Sequence, residues 1–511
     1  MKKRLGLLLC TLTMSLLLVA QAHITIDNPA TWTGEALRPY IGQTVIFDIP
    51  MIVCGNTNGN YTVSPWRKFQ PESHGFIGTA DYNATVRVNN NCMFTLTGVS
   101  GYHRCGEKII GLKVKVNSTN SLAMNGGSWS GNTRAELENK DLRKMVGIED
   151  SCENCLLVCG FNLENYYMTW GSMGADSYSE HQAQRAKISK ALKKINADIF
   201  GLVELQQGDE AIAEIVSDLN KNLPGRNYKY FHDATAGTFQ KVDFVYDANK
   251  VEPWGPPYQD KTEVQNRHKM VGFRELATGE QFIYSINHFK AMNSGDEYRR
   301  VNEAIAIIKQ YNDYKTLREK DILYMGDLNC YAFTSPIKQF TDRGFIDLHR
   351  AFHADSSYSY MFNGLASYID HAICNETMYR QVTGMAGYHI NSDEDDRYNY
   401  EKSSDQTMFR CSDHDPVLVG LKLDSTLVYD PSPSINSVDI IEGGTHTLTL
   451  RNAFVETSPS YYAIYTIRGD LLEKQLITSS FQEVQLPQSA GMYIFYIYFE
   501  GKVYQRKFIV P

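Results

Sequence analysis

Residues 156–165 read Leu-Leu-Val-Cys-Gly-Phe-Asn-Leu-Glu-Asn, an apolar run that ends in an amide, an acid and a second amide. A short continuous apolar run bounded by polar residues reads as a buried strand. Polar side chains at such a strand end are held rigidly while facing a cleft. The same grammar returns along the chain. Val203-Glu204 closes Ile199–Leu205, Asn287-His288-Phe289 closes Phe282–Asn287, and Gly326-Asp327-Leu328-Asn329 follows Asp321–Met325. Ile369-Asp370-His371 and Ser412-Asp413-His414-Asp415 complete the series.

Helical periodicity separates these strands. Ile188, Leu192 and Ile195 share one face of a helix predicted over Ser179–Ala197, and Ile212, Ile215, Val216 and Leu219 mark a second. Ala304, Ile305, Ile308 and Tyr311 mark a third. Alternating strands and helices predict a layered α/β domain over 155–424. Both flanks are β-rich. Over 23–150, Thr44–Ile49, Thr85–Val88 and Ile109–Val116 are strand-like, and the Gly/Ser-rich stretch Asn120–Asn132 reads as a loop. Over 430–511, Thr445–Leu450, Tyr461–Ile467, Phe481–Leu486, Gly491–Phe499 and Lys502–Val510 alternate apolar and polar residues, with turns at Arg468-Gly469-Asp470 and Glu500-Gly501-Lys502. That pattern predicts a small β-sandwich.

At 511 residues the chain needs several domains, and 43% apolar with 21% charged residues is globular. A pI near 5.9 and net charge of −8 exclude a surface coated for nucleic-acid binding, though not a local basic groove. Lys2, Lys3 and Arg4 precede the apolar stretch Leu5–Ala20, and Ala20-Gln21-Ala22 is a small-x-small cleavage site. This predicts a signal peptide over 1–22 and a secreted or cell-surface protein. No later stretch is long and apolar enough to span a membrane. Export makes disulfides plausible: Cys92 is expected to pair with Cys105, and the cluster Cys152, Cys155, Cys159 predicts a local disulfide rather than a zinc site.

Singly, each polar signature has a bland reading. Asp327-Leu328-Asn329 suits a turn, and a histidine after a strand is often structural. Glu204 is less easily dismissed, because an acid closing a buried strand costs desolvation unless it has a partner. Asp413-His414 pairs an acid with an imidazole it can orient. Chance turns do not explain acids, amides and histidines at successive strand ends. Together they suit a hard divalent cation held by Glu164, Glu204 and Asp413, with a histidine–carboxylate pair to activate water. That chemistry is phosphoester hydrolysis without a covalent intermediate. The oxygen-rich loop Asn391–Asp396 has spacing suited to Ca2+, but a solvated surface loop is the preferred reading.

Residues 156–423 resemble the endonuclease/exonuclease/phosphatase superfamily, which includes deoxyribonuclease I, abasic-site exonucleases, sphingomyelinases and inositol polyphosphate phosphatases. The resemblance implies Asn162 as a phosphate- or metal-site amide, Glu204 as metal ligand and Glu164 as a second metal-site acid. It implies His288 as a second acid–base group, Asp327 and Asn329 as the GDxN pair that aligns the nucleophile, Asp370 as support for the catalytic His414, and Asp413 as metal or water ligand. The stretches Asn287–Lys290 with Arg299-Arg300, and Tyr358–Gly364, resemble large secreted bacterial nucleases, which often carry an oligonucleotide-binding (OB)-like domain before the catalytic one. Lys290, Arg299 and Arg300 are either phosphate contacts or solvated charge. Cys330 directly after Asn329 departs from the pattern. Ile464–Gly469, Gly491–Ile494 and Lys507–Val510 resemble a C-terminal sorting domain, which implies a secretion-machinery partner; no obligate protein partner is evident. The implied activity is an Mg2+- or Mn2+-dependent secreted nuclease acting on DNA, with RNA as the alternative nucleic-acid substrate. The rivals are a phospholipid or sugar-phosphate phosphoesterase and a non-catalytic surface-binding protein.

Overall fold

The computed structural model describes residues 21–423, apart from short stretches at 29–30, 58–59, 172, 234–236, 238, 261, 293–294, 315–320, 354–355 and 402–404, together with the strands between 439 and 510. The expected leader up to residue 20 and the turns Arg468-Gly469-Asp470 and Glu500-Gly501 lie outside the described residues. Two compact units divide near residue 425.

The first unit begins with β1 (Ala22–Ile24), β2 (Thr44–Phe47), β3 (Met51–Thr57), β4 (Asn60–Ser64), α1 (Ala80–Asn91), β5 (Phe94–Thr97), β6 (Lys108–Ser118) and β7 (Ser121–Ser130). The ring β3-β4-β5-β7-β6 closes because β6 pairs both β3 and β7. β5 and β7 run parallel. This is an OB-like barrel, which leaves no open edge within the ring. Val53, Val63, Phe94, Val114 and Leu122 fill it.

Two local expectations for this region are corrected. Thr85–Val88 lies inside α1, where the Thr79 side chain caps the Tyr82 N–H at 3.4 Å. A good N-cap outweighs the β-propensity of two valines, because capping satisfies donors that would otherwise be orphaned. Ser121–Ser130 is a strand, not a loop. Its glycines are steric: a Cβ on Gly127 would lie 2.7 Å from Ile109 Cγ2 on the neighbouring strand.

Helices α2 (Arg134–Glu138) and α3 (Leu142–Met145) lead into the central domain. Its first half is β8 (Cys155–Tyr166), α4 (Tyr178–Ile195), β9 (Ile199–Gln206), α5 (Glu210–Asn222), β10 (Tyr228–Tyr230), β11 (Gln240–Asp247), β12 (Val251–Tyr258) and β13 (His268–Glu275). There follow β14 (Gln281–His288), α6 (Glu297–Tyr314), β15 (Ile322–Asp327), α7 (Ser335–Thr341), β16 (Ile346–Asp347) and α8 (Leu348–His353). The domain ends with β17 (Tyr360–Phe362), β18 (Leu365–Ser367), β19 (Asp370–Cys374), α9 (Glu376–Tyr379), β20 (Val382–Gly387) and β21 (Val417–Lys422). Two six-stranded sheets, β10-β11-β9-β8-β21-β20 and β12-β13-β14-β15-β19-β16, pack face to face through Val158, Val203, Phe244, Tyr284, Ile286 and Met325. The other face of the first sheet is covered by α4 and α5, and of the second by α6 and α7. The result is the layered α/β sandwich expected. The sheets approach closely at Gly201, where a Cβ would meet the Tyr284 hydroxyl at 2.6 Å. The pairs β8–β9 and β14–β15 are parallel. Their C-terminal ends therefore open on the same rim.

The disulfide is Cys152–Cys155, and Cys159 is a buried thiol. The expected Cys92–Cys105 bridge is not made. Both are buried thiols, and Cys92 Sγ lies 3.4 Å from the Trp32 carbonyl, which accepts from it. Burial inside the barrel gives each a place without a covalent link.

In the second unit, β22 (Asp439–Gly443), β23 (Thr447–Arg451) and β26 (Phe481–Gln485) form one sheet. A second sheet contains β24 (Ser460–Thr466), β25 (Leu471–Ile477), β27 (Gly491–Phe499) and β28 (Lys502–Val510). The alternation predicted each strand except β22 and β25.

Candidate active site

The rim where β8, β9, β14 and β15 end is built on unusual backbone. Glu164, Asn165, Glu204 and Asn329 have φ of 53°, 56°, 64° and 47°. Left-handed backbone is uncommon for residues other than glycine, and at several positions together it is held by surrounding contacts. Here the contacts are visible. Glu164 N–H donates to Asn162 Oδ1 at 3.0 Å, and Asn165 N–H to Glu204 Oε2 at 2.9 Å. Asn329 N–H donates to Asp327 Oδ1 at 2.8 Å.

Asp327 sits at the centre. Asn162 Nδ2, from the opposite sheet, donates to its Oδ2 at 3.1 Å, and Asn329 Nδ2 does so at 3.2 Å. His288 Nε2 stands 3.7 Å and His414 Nε2 3.8 Å from the same oxygen. His288 Nε2 is also 3.6 Å from Glu204 Oε1. His414 Nδ1 bonds Asp370 Oδ2 at 2.8 Å, and that oxygen also accepts from Ser359 Oγ at 2.7 Å. With Nδ1 fixed, Nε2 of His414 is the nitrogen that faces Asp327 and Asp413, the latter at 3.8 Å.

Electrostatics sort these groups. Burial, with Asp413 and Glu204 adding repulsion, pushes Glu164 up to about 8. Glu204 rises to about 6 through burial and Asp413. Asp327 rises to about 8, burial first, with Asp370 and Glu204 outweighing part of the relief from His414. Burial opposes charge on His414, but Asp370, Asp413 and Asp327 together hold its pKa well above the usual range. His288 goes the other way, down to about 3, by burial and the positive charges of Arg267, His414 and Lys290. At neutral pH it is a neutral imidazole whose buried Nδ1 has no partner.

The donor set fits a divalent cation. Ligand atoms of Glu204, His288 and Asp327 lie within 4.8 Å of one another, as do those of Asp327, Asp370 and His414. Glu164 and Asp413 are outside both sets, yet Glu164 interacts with Asp413 and Glu204. Buried acids that resist ionising together are the environment in which a hard cation replaces protons.

Most residues singled out in the sequence meet here: Asn162, Glu164, Glu204, His288, Asp327, Asn329, Asp370, Asp413 and His414. The basic residues differ. Arg300 is 7% exposed, and its guanidinium donates to the carbonyls of Lys290 and Ala291 at 3.3 and 3.2 Å, so it braces the loop after His288 rather than presenting a cation to phosphate. Arg299 is exposed and paired with Asp296 at 3.4 Å. Lys290 is half-buried and its charge is felt at His288. Cys330 is buried, with its Sγ–H directed at the Leu328 carbonyl, so its thiol does not enter the chemistry.

In the loop Asn391–Asp396 the carboxylates of Asp393, Glu394 and Asp395 are buried rather than solvated. Asp393 and Glu394 are 1% and 7% exposed and their carboxylates are taken by arginines: Arg67 on Asp393, and Arg104 and Arg134 on Glu394. Three supporting groups were given no role by the sequence: Ser359 and Tyr360, which lie in the Tyr358–Gly364 stretch and of which the Tyr360 ring lies 4.9 Å from that of His414, and Asn399, which donates to both Glu164 oxygens at 3.0 and 3.1 Å.

Residues 161–414 match the sequence model of the Endonuclease/Exonuclease/phosphatase family. The central domain belongs to this family. Members are hydrolases of phosphoester bonds and generally need a divalent metal. Solved structures similar to the chain include an endonuclease/exonuclease/phosphatase from Bacteroides vulgatus (15% identity, 53% of this chain and 100% of that one, TM-score 0.38). A mannosyl-6-phosphatase from Bacteroides thetaiotaomicron is similar at 19% identity over 52% of this chain and 100% of that one, with TM-score 0.39. The human nocturnin catalytic domain with bound sulfate is similar at 12% identity over 53% and 95%, with TM-score 0.38. Among curated proteins, none matches the chain.

Proposed function

We propose that this chain is a secreted, Mg2+- or Mn2+-dependent phosphodiesterase that hydrolyses nucleic acid, acting as an extracellular DNA endonuclease by water attack on phosphorus. The observation that carries this reading is the His414–Asp370 pair at 2.8 Å facing the buried Asp327, beside half-buried Glu204. Glu164, Glu204 and Asp413 would hold the metal, which when bound supplies positive charge against the phosphate oxygens as negative charge builds there.

The chain's own groups do the rest. Asp370 fixes the His414 tautomer and leaves Nε2 to take the proton of the attacking water. In the metal-free protein Asp370 first, then Asp413 and Asp327, favour the protonated His414; neutralising Asp413 and Asp327 would remove part of that pull and shift the imidazole toward its neutral, base-competent form. Asp327, held by Asn162 and Asn329, aligns the water. His288 starts neutral and serves as the second acid–base group. Lys290 is the cation available to a flanking phosphate.

The signal-peptide pattern and the C-terminal sorting-like unit support export. Among the described residues no helix is long and apolar enough to cross a membrane. The test is incubation of the purified protein with supercoiled plasmid, structured RNA, and phospholipid and sugar-phosphate esters, each with Mg2+ or with chelator. Metal-dependent plasmid nicking is the expected result. Release of phosphate from sugar phosphates or cleavage of phospholipid, with plasmid untouched, would transfer the function to those substrates.

A further inference from the structure

Residues 391–401 touch the catalytic centre at both ends. At one end Asn391 Nδ2 donates to the His414 carbonyl at 2.7 Å. The N–H groups of Asn391 and Ser392 donate to Asp415 Oδ1 at 2.8 and 3.0 Å, which fixes the residue following His414. At the other end Asn399 Nδ2 grips both carboxylate oxygens of Glu164.

The middle of the same segment is clamped by the N-terminal domain. Arg67 pairs with Asp393 and Arg104 with Glu394, and both carboxylate side chains are 0% exposed. Arg134 reaches Glu394 at 2.6 Å. Tyr102 donates its hydroxyl to Glu394 at 2.6 Å and accepts the Asp395 N–H at 3.0 Å, while the Cys105 N–H donates to the Asp393 carbonyl at 3.0 Å. Tyr358, next to the Ser359 that holds Asp370, also donates to Asp393, at 2.8 Å. Buried ion pairs return little net stability because desolvation offsets attraction, but they are strongly directional. Three arginines on one short segment set its position.

We propose that residues 391–401 are a strap through which the OB-like barrel positions the catalytic centre, with Asn391 the positioning residue for His414 and Asn399 the positioning residue for Glu164. The barrel is then part of the active enzyme rather than an appended binding module. The kinetic side of this proposal rests on the proposed hydrolysis; the metal-binding side does not.

The experiment uses the full chain and two readouts: Mn2+ affinity by calorimetry without substrate, and kcat on plasmid DNA at saturating Mn2+. Asn399→Ala is expected to weaken Mn2+ binding roughly ten- to hundredfold, as loss of a group orienting a metal ligand does, with kcat at saturating metal within about twofold of wild type. Asn391→Ala is expected to lower kcat about tenfold or more with Mn2+ affinity unchanged. The paired variant Arg67→Met/Asp393→Asn, which removes the ion pair without stranding a buried charge, is expected to show both losses. Should that variant not fold, the two asparagine variants decide. Wild-type Mn2+ affinity in Asn399→Ala together with wild-type kcat in Asn391→Ala would overturn the proposal. If the wild-type protein binds Mn2+ but cleaves no DNA, the nuclease reading fails, and the Asn399→Ala titration alone decides for or against the strap. A wild-type protein that binds no Mn2+ overturns both.

Discussion

The chemistry is concentrated in groups whose neighbours keep them from their ordinary charge states. His414 depends on Asp370, and Asp370 on Ser359. An His414→Ala variant is expected to lose about 10²–10⁴ in kcat, the usual worth of a positioned acid–base group, with unchanged circular dichroism and Mn2+ affinity. Asp370→Asn should fall in the same range, because the amide no longer dictates which ring nitrogen carries the proton. The acids make a separate prediction about stability. Glu164 and Asp327 rise to about 8 in the folded protein, whereas carboxylates in the unfolded chain titrate near 4. Between about pH 6.5 and 8 the folded state therefore binds more protons than the unfolded state, and stability falls as pH rises. His414, raised when folded, acts in the same direction. The buried neutral His288 acts oppositely, but only below its unfolded pKa of about 6.5. Thermal denaturation in chelator should show Tm dropping from pH 6.5 to 8, and Mn2+ should restore it most at the alkaline end. The site acids and histidines were legible in the sequence because each borders an apolar run: Glu164, Glu204, His288 and Asp327 toward the ends of β8, β9, β14 and β15, Asp370 at the start of β19, and Asp413 and His414 just before β21. The roles of Ser359, inside the Tyr358–Gly364 stretch, and of Asn399 were not, since nothing local separates a serine or asparagine that holds a carboxylate from one that caps a turn.

At the scale of elements, the site depends on two parallel strand pairs ending together and on glycines that permit it. Gly326 has φ of +119°, and a Cβ there would lie 2.1 Å from the Asn287 carbonyl oxygen, between the strands that carry Asp327 and His288. Gly326→Ala is expected to cost about 2–4 kcal/mol, combining backbone strain with a clash against the main chain. Gly131, also at positive φ but with nothing within 4 Å of its Cβ position, should cost only about 1–2 kcal/mol as alanine. Urea unfolding of the two variants checks the difference. The central strands and helices could be read from periodicity because each buries a continuous face. Two barrel elements could not. Val86 and Val88, two residues apart, carry strand spacing, and the Thr79 cap overrides it for helix α1. The glycines of β7 looked like a loop until Ile109 of the adjacent strand was seen pressed against Gly127.

For the whole molecule, the barrel and the central domain form one compact unit joined by buried charge. Breaking a buried ion pair by removing one partner costs about 3–5 kcal/mol. Expressing 155–424 alone strands Asp393 and Glu394 without Arg67, Arg104 and Arg134. The fragment is expected to be insoluble or to melt well below the full chain, by differential scanning fluorimetry. Truncation after Ser425 removes only the second compact unit, and metal-dependent activity should then remain within about twofold of the full chain. The joint was illegible in the sequence because its partners are far apart in the chain, 326 residues between Arg67 and Asp393 and 290 between Arg104 and Glu394. Seen alone, Asn391–Asp396 carried only an acidic composition, which reads as a solvated loop and gives no local sign of arginine partners.

The most direct measurement is the rate of phosphodiester cleavage in plasmid DNA by wild type and His414→Ala across an Mn2+ titration, both proteins folded by circular dichroism. Cleavage by wild type that rises with Mn2+, stops with chelator and falls at least about a hundredfold in His414→Ala is the expected result. Chelator-insensitive cleavage, or a His414→Ala protein as fast as wild type, would contradict a metal-dependent hydrolysis centred on His414.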